Sequence, residues 1–152
     1  MSNLLSLPEL KAALPYGKRL LGLDIGSKTI GLAVSDATLT IATPIEIIRR
    51  KRFKDDVARL QEIVKARGVG GFILGWPVNM DGSEGPRCQS TRAFSDNLAA
   101  KIDLPQALWD ERLSTAAVER TLLEADSSRA RRKQVVDKMA AAYILQGALH
   151  AL

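Results

Sequence analysis

The sequence predicts an α/β fold: a mixed five-stranded sheet, an antiparallel meander of three strands plus two parallel strands, with helices on both faces. Three observations predict it. Two apolar, β-branched runs flank a glycine-containing turn early in the chain. Beyond residue 52, segments of helical period alternate with short apolar runs, as in βα units. The 152 residues, 46% of them hydrophobic and 26% charged, are enough to bury one core. The expected organisation is a single domain over 1–152 with a short N-terminal extension, 1–18.

Ser6-Leu-Pro-Glu9 reads as a capping box that opens a short helix to about Leu14, and Pro15 and Gly17 end it. Arg19 to Ile25 is an apolar first strand, Gly26-Ser27-Lys28 a turn, and Thr29 to Ser35 a second strand. A third strand is expected over Ile45 to Arg49, after Pro44. Phe53, Val57, Leu60 and Val64 then form an apolar stripe on a charged helix that Gly68 and Gly70 terminate. Gly71 to Gly75 is a short buried strand, and Trp76 to Pro86 a loop rich in Pro, Asn, Asp and Gly. A helix with Phe94 and Leu98 inward leads to a last strand, Ala107 to Glu111. Ser114 is placed to cap a helix carrying Val118, Thr121, Leu122 and Ala125. Asp126 to Arg132 reads as an exposed basic loop, and Lys133 to His150 as the last helix.

Composition narrows the chemistry. The net charge of +5 favours polyanionic partners, because neutralised phosphates release counterions. The lone histidine, His150, lies two residues from the end, which makes Ser-His-Asp and Cys-His mechanisms improbable and leaves a Cys/His zinc site without ligands. Cys88 is the single cysteine, so no internal disulfide can form, and it is expected to be inert. No apolar run approaches a membrane span and no signal-peptide pattern opens the chain, so a cytoplasmic location is expected. Carboxylates, lysines, hydroxyls or a metal must carry any catalysis.

Three carboxylates stand out. Asp24 sits inside an apolar strand, where a carboxylate needs a metal, a cation or hydrogen bonds. Gly22, Gly26 and Gly31 leave backbone space around it; the alternative is an acid tied to the N–H groups of its own turn. Glu111 ends the last strand, where open α/β sheets bind ligands. Asp110 and Glu111 point to opposite sides, so only one can face a pocket, and pairing with Arg112 is the competing role. Asp137 lies on the apolar stripe of the last helix with Ala140, Ala141, Ile144 and Ala148, and Lys133 at i−4 is a possible partner. Three inward acids require a neutralising cation, and an all-oxygen set suits Mg²⁺ or Mn²⁺. Metal-supported phosphodiester hydrolysis needs no histidine.

Four segments share one further property. Leu21-Gly-Leu-Asp-Ile-Gly-Ser-Lys-Thr-Ile-Gly-Leu-Ala-Val-Ser-Asp36 resembles the opening motif of the YqgF/RuvX family. Leu74-Gly-Trp-Pro-Val-Asn-Met-Asp-Gly82, Trp109-Asp-Glu-Arg-Leu-Ser-Thr115 and Asp137-Lys-Met-Ala-Ala-Ala-Tyr-Ile-Leu-Gln146 resemble its later motifs, in the family's order. The resemblance implies an RNase H-like fold related to Holliday junction resolvases, and a nuclease that matures the 5′ end of pre-16S rRNA. It implies metal-dependent phosphodiester hydrolysis, of two-metal type, with Asp24, Glu111 and Asp137 as catalytic acids and metal ligands. Other resolvases carry an acid at the end of the fourth strand; here that place holds Gly75-Trp76-Pro77, and the role falls to Glu111.

Two basic runs, Arg49-Arg50-Lys51-Arg52 and Arg129, Arg131, Arg132, Lys133, are candidates for holding a nucleic-acid backbone, or else are solvated surface. The candidate contacts are Lys28, Arg50, Arg52, Asn79, Arg87, Arg112, Arg131 and Arg132. Asn79, Ser83 and Arg87 lie in a loop beside the expected site, where Asp81-Gly82 alternatively makes a plain turn. Structured RNA is the expected partner and branched DNA the alternative, with the chain a monomer or homodimer. Three rival functions remain. The first turn also resembles the phosphate loop of actin/Hsp70-type kinases, but that superfold needs two such domains. A junction resolvase keeps the fold and changes the substrate. A non-catalytic RNA-binding assembly factor needs the basic surface and not the acids.

Overall fold

A computed structural model describes residues 4–79, 81–113 and 129–152, and for Leu113 and residues 129–138 the backbone alone. The order along the chain is α1 (Leu7–Ala13), β1 (Arg19–Ile25), β2 (Thr29–Ser35), β3 (Ala42–Arg49), α2 (Phe53–Arg67), β4 (Val69–Trp76), α3 (Pro86–Lys101) and β5 (Gln106–Asp110). A single 3-10 turn, Glu111–Leu113, and helix α4 (Arg129–Ala151) follow. The strands form one sheet in the order β3-β2-β1-β4-β5. The pairs β3–β2 and β2–β1 are antiparallel, while β1–β4 and β4–β5 are parallel. This is the mixed sheet expected from the alternation of patterns.

Local chemistry explains the boundaries. Ser6 Oγ accepts the Glu9 N–H while Glu9 Oε1 accepts the Ser6 N–H, so the capping box starts α1 as read. Gly68, at φ 65°, takes the left-handed position that ends α2. Pro86 opens α3 at its first turn, where no backbone donor is needed.

Four boundaries differ from the sequence reading. β4 runs from Val69 to Trp76, so Gly70 lies in the strand and does not end α2, and Trp76 is strand and not loop. β3 starts at Ala42, ahead of Ile45, and includes Pro44 opposite Ala33, just past a register shift at Leu32/Ala33. An edge strand tolerates a residue without an N–H, particularly beside a bulge. β5 stops at Asp110, and Glu111 opens the turn instead of ending the strand. Helix α4 begins at Arg129, so Arg129 to Arg132 are helical and not loop: arginine, alanine and lysine favour helix and nothing in Arg-Ala-Arg-Arg-Lys breaks it. The expected helix from Ser114 to Ala125 and the start of the basic loop, 126–128, lie outside the described residues.

Alternation along the strands divides the core between the two sheet faces. Leu21, Leu23, Ile25, Ile30, Leu32 and Leu74 pack with Val57, Leu60 and Ile63 of α2 and with Phe94 and Leu98 of α3. Leu20, Ala33, Ile73 and Ala107 pack on the other face with Leu10 of α1 and with Ala141, Ile144, Leu145 and Ala148 of α4. Gly22 sets how near α4 comes: a Cβ there would lie 2.8 Å from Leu145 Cβ and 3.2 Å from the Ala141 carbonyl oxygen. Among the described residues no helix is long and apolar enough to cross a membrane.

Candidate metal and nucleic-acid site

The parallel strands β1, β4 and β5 end at one edge of the sheet, the edge at which open α/β sheets place ligands. Asp24 is the penultimate residue of β1, half-buried, paired with Gly31 of β2. Leu23 and Ile25 face the α2/α3 core, and Gly22 faces α4. Alternation therefore turns Asp24 to the α4 side. One residue beyond the Leu23–Leu74 pair, the neighbouring strand carries Gly75.

Gly75 explains how Glu111 fits. A Cβ at Gly75 would lie 2.8 Å from Glu111 Oε1 and 2.6 Å from Ile144 Cδ1, so the carboxylate occupies the space that glycine leaves next to α4. Glu111 thus joins Asp24 on the α4 side of the same sheet edge. Asp110 is otherwise engaged. Its carboxylate accepts the Arg112 backbone N–H at 2.9 Å and the Arg112 guanidinium at 2.8 Å. The Arg112 hydrogen bonds hold the Asp110 carboxyl below the usual carboxylate range despite partial burial. Of the two adjacent acids, Asp110 carries the Arg112 pairing and Glu111 faces the edge.

Asp137 lies in α4, seven residues and about two turns before Ile144. Its side chain falls outside those described, as do those of Arg131 and Arg132. Among the described residues no group of three or more His, Cys, Asp or Glu is gathered for a metal ion. The two carboxylates in view have the right chemistry for a hard cation: oxygen donors, with the only histidine at the Gln146 amide and the cysteine buried in α3.

A basic groove runs beside this edge. Its first part, about 500 Å³, is lined by Ile25 to Thr29, Arg50, Arg87 and Ser90. Its second, about 290 Å³, is lined by Pro77, Val78, Asn79, Gly85, Pro86, Arg87 and Glu111. Arg87 borders both, so one basic residue is common to the part lined by Lys28 and Arg50 and the part lined by Glu111. Of the expected contacts, Lys28, Arg50 and Arg87 line the first part, and Asn79 and Arg87 the second. Arg52 is exposed before α2 and lines neither part. Arg112 is committed to Asp110, at 2.8 Å.

The loop after β4 is built as a turn. Asp81 Oδ1 accepts both the N–H and the hydroxyl of Ser83, the Gly82 N–H donates to Asn79 O, and Gly82 adopts φ 90°. The Ser83 hydroxyl is further occupied by Asn79 Nδ2 at 3.0 Å, so this side chain also braces the turn. Ser90 was not singled out in the sequence, although it lies at i+3 from Arg87 and at i−4 from Phe94 on one helical face. Burial pushes the Cys88 thiol up, in keeping with an inert residue.

Comparison with known proteins points the same way. The RuvX family, described as a Holliday junction resolvase, matches residues 18–151. A protein of Paramagnetospirillum magneticum is 66% identical over 141 residues, covering 93% of this chain and 91% of its own length; its name is "Putative pre-16S rRNA nuclease". A relative of the same name from Rhodospirillum rubrum is 61% identical over 148 residues, covering 97% and 92%. Among solved structures, Thermus thermophilus RuvC in complex with a Holliday junction substrate aligns over 88% of this chain and 94% of its own, with a TM-score of 0.51 and 15% identity. At that identity the likeness concerns the fold, which is thereby RNase H-like and resolvase-related.

Proposed function

This chain belongs to the RuvX family of nucleases, and from that membership we propose that it hydrolyses RNA phosphodiester bonds in a metal-dependent reaction that trims the 5′ end of pre-16S rRNA. The observation that carries the reading is that Asp24 and Glu111 lie on the α4 side of one sheet edge, and that Glu111 lines a pocket sharing Arg87 with the pocket of Lys28 and Arg50. The names of the relatives favour a ribosomal RNA precursor over a DNA junction. A protein acting on that precursor works in the cytoplasm.

In this reading Asp24, Glu111 and Asp137 hold Mg²⁺ or Mn²⁺. When bound, such a metal would supply Lewis acidity for phosphodiester hydrolysis, as one or as two ions. The protein's own groups do the rest. The strand end keeps Asp24 from moving away from the edge. Glu111, filling the space at Gly75, presents its carboxylate beside Ile144. Lys28 and Arg87 neutralise backbone phosphates and set the register of the strand to be cut, and they carry no base readout.

Two experiments test the reading. With Mg²⁺ present, the protein is expected to cut a 16S precursor fragment bearing its 5′ leader faster than a four-way DNA junction of equal length. Preferential cutting of the junction would transfer the function to DNA resolution, and cleavage of neither would favour the assembly-factor reading. Separately, Glu111→Gln is expected to reduce kcat about a hundredfold or more, whereas Asp110→Asn stays within about threefold of wild type. The reverse ranking would make Asp110 the acid of the site.

A further inference from the structure

Arg50 stands in the basic wall of the groove, yet its surroundings set it apart from its neighbours. It is the first residue after β3, and its backbone N–H donates to Lys28 O at 2.9 Å, extending the β2–β3 ladder by one bond. Its Nη1 donates to the Gly26 carbonyl oxygen at 2.7 Å. Its Cζ lies over the Phe94 ring, 5.5 Å from the centroid. Phe94 is in turn braced edge-on by Phe53, with centroids 5.6 Å apart and planes at 87°. Among the described residues, Lys28 and Arg87 line the same groove with no hydrogen bond or ion pair from their side chains.

The bonded carbonyl is well chosen. Gly26 follows Asp24 by two residues, and its N–H donates to Thr29 O at 2.8 Å, closing the β1–β2 turn. The last strand pair before that turn is Ile25–Ile30. Arg50 thus holds this turn twice, through its N–H on Lys28 O and its guanidinium on Gly26 O, and Asp24 is the acid two residues ahead of that bonded carbonyl. A charged donor on a carbonyl is among the stronger hydrogen bonds. The contact with the Phe94 face adds a cation–π interaction, and a lysine ammonium lacks the planar group that makes both contacts at once.

We propose that Arg50 is a positioning residue for Asp24: seated on Phe94 and bonded to Gly26, it stiffens the turn after the acid and is not one of the phosphate contacts. The proposal rests on Asp24 being the central acid of the reaction.

The test compares Arg50→Lys, Arg50→Met and Phe94→Leu with wild type in three measurements: kcat and KM on the RNA fragment, the salt dependence of RNA binding, and amide exchange of the peptide spanning 24–30. For a positioning role, Arg50→Lys and Arg50→Met both lower kcat about tenfold or more with KM little changed. Both also speed exchange at Gly26, and the salt slope of Arg50→Lys stays at the wild-type value. Phe94→Leu, which keeps the arginine, lowers kcat in the same direction. A phosphate role predicts the opposite: Arg50→Met reduces the slope by about one, Arg50→Lys restores it together with kcat, and exchange is unaltered. That pattern overturns the proposal. Should wild type and Asp24→Asn cut RNA equally, the reading of Asp24 fails on its own account, and the exchange data still decide whether Arg50 holds the turn. Thermal melts of each variant separate unfolding from loss of position, and the salt slope of Lys28→Ala calibrates a true phosphate contact.

Discussion

Asp24→Asn is expected to lower the kcat of Mg²⁺-dependent RNA cleavage by about a thousandfold or more, equivalent to roughly 4 kcal/mol of lost transition-state stabilisation. Asparagine preserves shape and polarity and removes only the charge. The strand position is half-buried between Leu23 and Ile25, and the substitution leaves the packing of those two side chains unaltered. Removing the metal with EDTA should reduce wild type to the level of the variant. A readout independent of catalysis accompanies this. Mg²⁺ should raise the Tm of wild type by preferential binding to the folded chain, and should leave the variant's Tm nearly unchanged. RNA affinity, carried by the groove cations, should persist in the variant. Cleavage undiminished in Asp24→Asn would sink the mechanism. Lost cleavage together with lost RNA binding would instead point to general damage at the sheet edge.

The largest effect on stability is expected at Gly22. An added methyl would sit 2.8 Å from Leu145 Cβ and 3.2 Å from the Ala141 carbonyl oxygen. Neither atom is the loose end of a long side chain, so α4 itself must shift away from the sheet. Overpacking of this kind costs about 2 kcal/mol, which for a chain of this size lowers Tm by roughly 6 °C. The change also has a functional side. Helix α4 packs against β1, β2 and β3 and carries Asp137 toward its N-terminal half. Gly22→Ala should therefore weaken Mg²⁺ binding beyond its effect on folding, measured by titration well below the melting point. A variant with wild-type Tm would show that the contact is slack.

The basic wall and the acids differ in how far sequence could reach them. Asp24 was legible because an acid between Leu23 and Ile25 in an apolar strand violates the burial rule for charge. The capping box at Ser6, the glycine stop at Gly68 and the amphipathic stripe of α2 were legible because each depends on residues within a turn or two of one another. The mix of antiparallel and parallel strands followed from short connections joining the first three strands and helical ones joining the rest, whereas the placing of β4 beside β1 did not.

What folding alone decided involves pairs far apart along the chain. Asp110 and Glu111 are adjacent and chemically alike; the strand's last residue and the space left by Gly75 separated them, and neither is encoded near residue 110. Arg50 and Lys51 read as one basic run, yet only the first meets a ring 44 residues later and a carbonyl 24 residues earlier. Arg87 became the link between groove and acid because α3 sets it over both. Charge runs signal affinity for phosphate through composition, which any order of residues conveys. Which guanidinium stays available and which is tied down depends on through-space partners, and those exist only once the sheet has brought its strand ends to one edge.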